Sequence, residues 1–258
     1  MRLYGRYILM HLKSQMQYKG SFFLLIFSQF LTAFSALASV YFLMQRFHRI
    51  DQFSFQEVLL CFAIVLMAFS LAECFARGFD RFPSILANGG FDRILVRPRS
   101  TILQVLGSQV EFTRLGRLCQ ATLVFCYAIP ASDVVWTLDR VLLLMLMILS
   151  GALVFFGLFL IFAGLCFFTT EGLEFINIFT DGGREFGAYP LSVYGDGVLK
   201  FFTFVIPLAL VQYYPLLYLT GRSDSPLHAL SPLFAGLFLL PCYLLWRIGI
   251  RHYRSTGS

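Results

Sequence analysis

Glu73 is the one ionisable group set well inside a long apolar run, about Val58–Ala76. A carboxylate at membrane depth is costly and marks a substrate or ion site, where it binds a cation or relays protons. It also stands four residues before Arg77, the spacing of an ion pair along one helix face. The sequence alone leaves both roles open. Three glutamines, Gln29, Gln120 and Gln212, also lie in apolar runs, where an amide hydrogen-bonds across helices or lines a path. Pro207 falls in the middle of a fifth apolar run and predicts a kink or hinge.

Other familiar chemistries are missing. No Gly-Lys dipeptide occurs, so no G-x-x-x-x-G-K-[ST] phosphate loop exists and ATP is not held that way. There is no H-E-x-x-H and no G-x-S-x-G. His11, His48, His228 and His252 are dispersed, and none of the six cysteines forms C-x-x-C. No metal site, no bound cofactor and no catalytic residue is expected on this chain. In the stretch 169–200, Glu171, Glu174, Asp181, Glu185 and Asp196 lack the D-x-D-x-D spacing of a calcium loop and read as solvated or capping residues.

The elements that must position these groups are membrane helices. The chain is 58% hydrophobic and 13% charged, with a mean hydropathy of +0.75, whereas soluble domains carry about 25% charge. Six spans are predicted: about Phe22–Met44, Val58–Ala76, Leu118–Trp136, Val141–Phe168, Phe201–Leu219 and Leu230–Trp246. The fourth runs 28 residues without a charge, roughly 42 Å of helix against a hydrocarbon core of about 30 Å. The fold class expected is an all-α polytopic membrane protein forming one transmembrane domain over residues 1–258. Long uninterrupted runs argue against a β-barrel.

Residues 1–21 precede the first span. Arg2, Arg6 and Lys13 fall on one side of a helix, and Tyr4, Ile8, Leu12 and Met16 recur at i+4 beside them. An interfacial helix on the inner leaflet, in contact with membrane lipid, is expected. Lys and Arg number 16 in the N-terminal arm, the loops 77–117 and 169–200 and the tail, and 4 on the other side (Arg46, Arg49, Arg140 and Arg222). That asymmetry places both termini and both longer loops in the cytoplasm. The net charge of +6 therefore reflects topology, and no nucleic-acid partner is expected.

The loop 77–117 holds seven arginines against three acids, and is longer than a turn between two spans requires. Within it, residues 85–98 read Ile-Leu-Ala-Asn-Gly-Gly-Phe-Asp-Arg-Ile-Leu-Val-Arg-Pro. This resembles the G-x-[FL]-D-x-x-L-x-R-P pattern of a branch of the ABC-2 type permeases, the membrane subunits of ATP-binding-cassette exporters. A second stretch is similar to the same branch: Glu174-Phe175-Ile176-Asn177, Gly183-Arg184-Glu185-Phe186, Tyr189-Pro190, Phe202 to Pro207, Tyr214-Pro215 and Gly221-Arg222. Arg99-Ser100-Thr101 departs from the family, which has a more apolar run there.

The resemblance implies the six-span, type V exporter-like fold, in a bacterial cytoplasmic (inner) membrane. It implies a second identical or homologous permease, and two separate ATPase subunits that carry ATP and Mg. A short coupling helix between spans 2 and 3 docks the ATPase, and Gly90, Phe91, Asp92, Arg93, Leu95, Arg97 and Pro98 belong to it. Phe91 and Leu95, at i and i+4, are expected to form an apolar knob for a partner groove, ringed by Asp92, Arg93 and Arg97. The function expected is export of an amphipathic, drug-like or lipid-like substrate. The rival reading is a gradient-driven secondary transporter or channel without an ATPase. Internal repeats and several buried charges would mark that rival, and the chain has no repeat and one such charge.

Overall fold

The computed structural model describes residues 2–47, 52–169 and 177–254. Glu171, Glu174, His48, Arg49 and the motif residues Phe175 and Ile176 lie outside the described residues. Helices form throughout, and among the described residues there is no strand.

Helix α1 (Arg2–Gln15) runs through a single 3-10 turn into α2 (Lys19–Phe47), with the joint residues in helical conformation. Helix α3 (Phe55–Asp80) starts at a capping box, in which Ser54 Oγ accepts from the Glu57 amide and Glu57 Oε2 accepts from the Ser54 amide. This reciprocal pairing satisfies donors that a helix start leaves free. Three short helices follow: α4 (Phe82–Ala87), α5 (Gly90–Leu95) and α6 (Thr101–Leu106). Then come α7 (Leu115–Ala131), α8 (Leu138–Leu165), α9 (Asn177–Gly187), α10 (Asp196–Phe204), α11 (Leu208–Val211) and α12 (Tyr213–Leu219). The last pair is α13 (Pro226–Ala235) and α14 (Leu239–His252).

Helix α3 is the axis of the bundle. In its most apolar stretch 83% of residues are buried, against 11% for the α1–α2 stretch. Helices α7 and α8 flank α3, α14 packs on α8, and α2 lies outside against α7. The α2–α7 contact is backbone to backbone: a Cβ on Gly116 would stand 2.1 Å from the Ile26 carbonyl oxygen. Small residues are what allow such approach between membrane helices.

Among the described residues, four helical stretches are long and apolar enough to cross a membrane: Tyr4–Arg46, Phe55–Ala87, Leu138–Leu165 and Pro226–His252. They contain the expected first, second and sixth spans and all but the last three residues of the expected fourth, Val141–Phe168, because α8 ends at Leu165. The third, α7, has 17 residues, roughly 25 Å of helix, which is short for the hydrocarbon core. The fifth expected span is not one straight helix. It breaks between α10 and α11 with a bend of 85°. Pro207 supplies no amide and takes ψ 46°, so the hydrogen-bond ladder stops there.

The expected loop 169–200 does not lie wholly outside the bundle. Gly187 sits against Val65, in the middle third of α3, and Ala188 is buried in a core that includes Phe62 and Leu66. Gly183 meets Leu208 and Phe155. Helix α9 therefore climbs alongside α3, which polarity and loop length did not indicate.

Candidate functional site

Two regions gather most of the residues singled out by the sequence. The first is the run of short helices after α3. Gly89, with φ +63°, makes the left-handed turn from α4 into α5, a conformation glycine adopts without strain. Phe91 is then fully buried, against Phe82 (5.3 Å between ring centroids), Phe167 (5.1 Å), Tyr253 (5.0 Å) and Trp246 (6.3 Å). Trp246 in turn donates from Nε1 to Thr101 Oγ1 at 3.1 Å.

This corrects the expected knob. The i,i+4 rule places Phe91 and Leu95 near each other on a helix surface, but α5 sinks at its first turn and emerges at its last. Leu95 is 41% exposed while Phe91 is an internal anchor. What faces outward is Arg93, Leu95, Val96 (82% exposed), Arg97, Pro98, Arg99 and Leu103. Gln104, which the sequence did not flag, holds the turn closed by donating to the carbonyls of Ile94 and Arg99, each at 3.1 Å. Gly90 and Asp92 are half-buried. Burial pushes the Tyr253 phenol above its ordinary pKa, and the neighbouring Asp92 carboxylate pushes it the same way.

The second region surrounds Glu73, which is buried. Its carboxylate meets Arg117 Nη1 at 2.7 Å, Arg114 Nη2 at 3.0 Å and Arg77 Nη1 at 3.6 Å. Arg77 also pairs with Asp80 at 2.8 Å and Glu111 at 3.5 Å, and Arg114 with Glu111 at 3.2 Å. Three carboxylates face three guanidinium groups, so the cluster is formally neutral. Gln29 accepts from Arg114 Nη1 at 3.0 Å, which brings α2 in. The i,i+4 partner Arg77 is the most distant of the three. The closer two come from beyond the short helices, where spacing along one helix gives no signal. Glu73 and Gln29 are thus joined in an ion-pair network linking α2, α3 and α7.

The N-terminal arm is fastened beside it. Tyr4 donates to the Phe75 carbonyl at 3.2 Å, His11 Nε2 lies 3.0 Å from the Gly107 carbonyl, and Gln15 Oε1 accepts from the Phe112 amide at 3.1 Å. The arm's inward face runs through residues 4, 11 and 15, so it packs on protein as well as carrying exposed apolar groups such as Leu9 and Met10.

The remaining path residues part ways. Buried Gln212 donates to the Tyr189 carbonyl at 2.9 Å and so ties α12 to the end of the α9 stretch. Pro207 makes the break already described. Gln120 is 2% exposed, and neither of its amide atoms has a hydrogen-bond partner. At the opposite end of α3, Arg222 forks onto Glu57 with both contacts at 2.8 Å, donates to the Gln52 carbonyl at 2.7 Å, and stacks 4.6 Å above the Phe53 ring. Among the described residues, no three of His, Cys, Asp and Glu converge as metal ligands.

Residues 30–257 match the model of a family described as ABC-2 family transporter protein. No curated protein and no solved structure matches the chain significantly. The matched segment takes in α3 to α14 and most of α2, with the α5–α6 turn and all of the Glu73 network but Gln29, and the chain therefore belongs to the ABC-2 family of transporter proteins.

Proposed function

We propose that this chain is the permease subunit of an ATP-driven exporter for an amphipathic, drug-like or lipid-like substrate. It pairs with a second identical or homologous permease, and two ATPase subunits, which carry ATP and Mg, dock beneath. The membrane is the bacterial cytoplasmic membrane, with both termini in the cytoplasm. The observation that carries this reading is the two-sided construction of the α5–α6 turn. One side is locked to the bundle through Phe91, Trp246 and Thr101. The other presents Leu95, Val96 and Leu103 among Arg93, Arg97 and Arg99. An apolar centre with a charged rim is the makeup of a protein-docking patch. A rigid link behind it passes movement of the ATPase into α3 and α14.

In this mechanism ATP binding draws the ATPase subunits together, the docked turns move with them, and the permease pair opens outward. Hydrolysis resets it. Substrate must bind the inward state more tightly than the outward state for this to move it. The gradient-driven alternative needs a titrating or cation-binding group within the membrane. Among the described residues Glu73 is the carboxylate that best fits this role, and three guanidinium groups already surround it.

The test is affinity purification of the tagged chain from its own membranes under gentle extraction, with subunit identification and an ATPase assay. A bound subunit containing a phosphate loop is the expected result. A chain that purifies alone and without ATPase activity overturns the proposal.

A further inference from the structure

Arg184 belongs to the stretch expected to be a cytoplasmic loop, yet its guanidinium lies 5.1 Å from the centre of the Phe69 ring, near the middle of α3. An ionisable group at such depth faces a partner or a polar cavity and marks a candidate site. Here a cavity of about 140 Å³ lies among α2, α3, α7 and α9. Arg184 and Glu185 line it from α9, Arg117 from α7, and Thr32 and Ser35 from α2, while Leu66 of α3 forms part of an apolar wall. The polar groups divide by kind. Arg117 gives Nη1 to Glu73 at 2.7 Å, and Arg184 gives Nη2 to Glu185 and holds Asp181 at 3.8 Å. A guanidinium carries five N–H donors, and these two side chains remain 12% and 22% exposed. Both therefore keep donors for an oxyanion, which Arg grips with two parallel hydrogen bonds. Thr32 and Ser35 spend their hydrogens on the carbonyls of Ser28 at 2.6 Å and Thr32 at 2.7 Å. What remains of each hydroxyl is an acceptor, and the half-exposed Glu185 carboxylate adds more.

We infer that this cavity binds the zwitterionic headgroup of an amphiphile, with its phosphate or carboxylate on Arg117 and Arg184 and its ammonium on Glu185, Thr32 and Ser35. A bare anion would meet the Glu185 carboxylate, and a bare cation would meet two guanidinium groups. A headgroup with both charges sets each against its opposite. The volume is below the ~300–1,000 Å³ of sites that enclose a whole small molecule, so the cavity takes the headgroup and leaves the tail outside. The tail has apolar surface to follow: Leu31, one turn from Ser35, and Phe42 lie exposed on one strip of α2. The inference rests on the exporter reading only in naming this amphiphile as the substrate class; binding itself needs no turnover.

The experiment uses the full chain, with whatever subunits accompany it, in the neutral detergent dodecyl maltoside, and reads binding by native mass spectrometry. Three probes are compared: lysophosphatidylethanolamine, lysophosphatidylglycerol, which lacks the ammonium, and phosphoethanolamine, which lacks the tail. The expected result is that lysophosphatidylethanolamine binds tightest, at one per chain. Arg184→Gln should weaken it about tenfold, as for loss of a hydrogen bond to a charged group, and Arg184→Lys should recover part of that. Glu185→Gln should weaken it about threefold, as for an exposed charge pair, and should strengthen lysophosphatidylglycerol. The Glu185 change touches a half-exposed side chain and serves as the second variant if Arg184→Gln lowers the yield. Equal binding of the two lyso-lipids, unchanged by Glu185→Gln, shows that no ammonium is recognised and overturns the inference. So does lysophosphatidylethanolamine binding that ignores Arg184→Gln. Phosphoethanolamine bound as tightly as the lyso-lipid overturns the amphiphile and gives the cavity to a small soluble zwitterion. The expected pattern in a preparation without any ATPase would sink the exporter reading and leave this site standing; an ATPase present with no lyso-lipid bound would do the reverse.

Discussion

Glu73 and Arg117 meet at 2.7 Å although 44 residues separate them. The contact joins the apolar α3 to the first turn of α7, and it closes the whole run of short helices between them into a loop with fixed ends. The run is thus tied to α3 and α7 at its ends, and Phe91 packs α5 against Trp246 of α14.

Glu73→Gln leaves three guanidinium groups facing two carboxylates. Breaking one side of a buried ion pair costs about 3–5 kcal/mol. The variant should show a lower melting temperature and weaker retention of the monodisperse form in detergent. Glu73→Gln with Arg117→Gln should be less destabilised than the sum of the two single changes, because the second removes the orphaned charge. A purely additive result would show that the network is not cooperative.

Phe91 and Val96 should separate structural from docking roles. Phe91→Ala opens a cavity in the aromatic cluster and should cost about 3–5 kcal/mol of stability. Leu95→Asp with Val96→Asp touches only exposed groups and should leave the melting temperature within about 1 °C, since surface changes are mostly worth under ~0.5 kcal/mol. The double variant should nevertheless lose the co-purifying ATPase. Retention of that subunit at full yield moves the docking surface elsewhere.

Gly116→Val drives a side chain into the Ile26 carbonyl, where even a Cβ stands at 2.1 Å. Overpacking of this kind costs about 1–3 kcal/mol or more. Here the clash falls on α2, whose apolar stretch is only 11% buried, so the expected outcome is release of α2 from α7. Protease sensitivity within residues 19–47 should rise while α3 and α8 remain protected. Unchanged protection of α2 would show that the contact is dispensable.

Arg222 holds Glu57 by two parallel hydrogen bonds, a geometry that Lys cannot reproduce. The guanidinium side chain is 25% exposed, so Arg222→Lys should cost only about 1 kcal/mol after solvent screening. The loss should appear locally, as faster amide exchange at residues 52–58, with the far end of α3 unaffected. Exchange that rises evenly along α3 would mean Arg222 supports the whole bundle.

Much of this protein was readable from residue order because it depends on local pattern. Apolar runs long enough to span a bilayer located the helices of four crossing stretches. Pro207, expected to kink the fifth span, marks the break between α10 and α11. The residues 85–98 carried the family, which the match over 30–257 established.

Tertiary structure alone decided which face of each helix points inward. Periodicity placed Phe91 beside Leu95 but had no information on where Trp246 and Tyr253, about 155 residues further on, would meet them, so the inward anchor was mistaken for an outward one. Spacing offered Glu73 one partner, Arg77, whereas the bundle brought in Arg114 and Arg117 at shorter distance. Gln29, Gln120 and Gln212 are identical in type and alike in their apolar surroundings along the chain. Packing gave the first an arginine, buried the second with no hydrogen-bond partner, and set the third against a backbone carbonyl. The physical reason is common to all: helix propensity and hydropathy act over a few turns, while burial, ion pairing and cavity shape depend on which distant segments the bundle brings together.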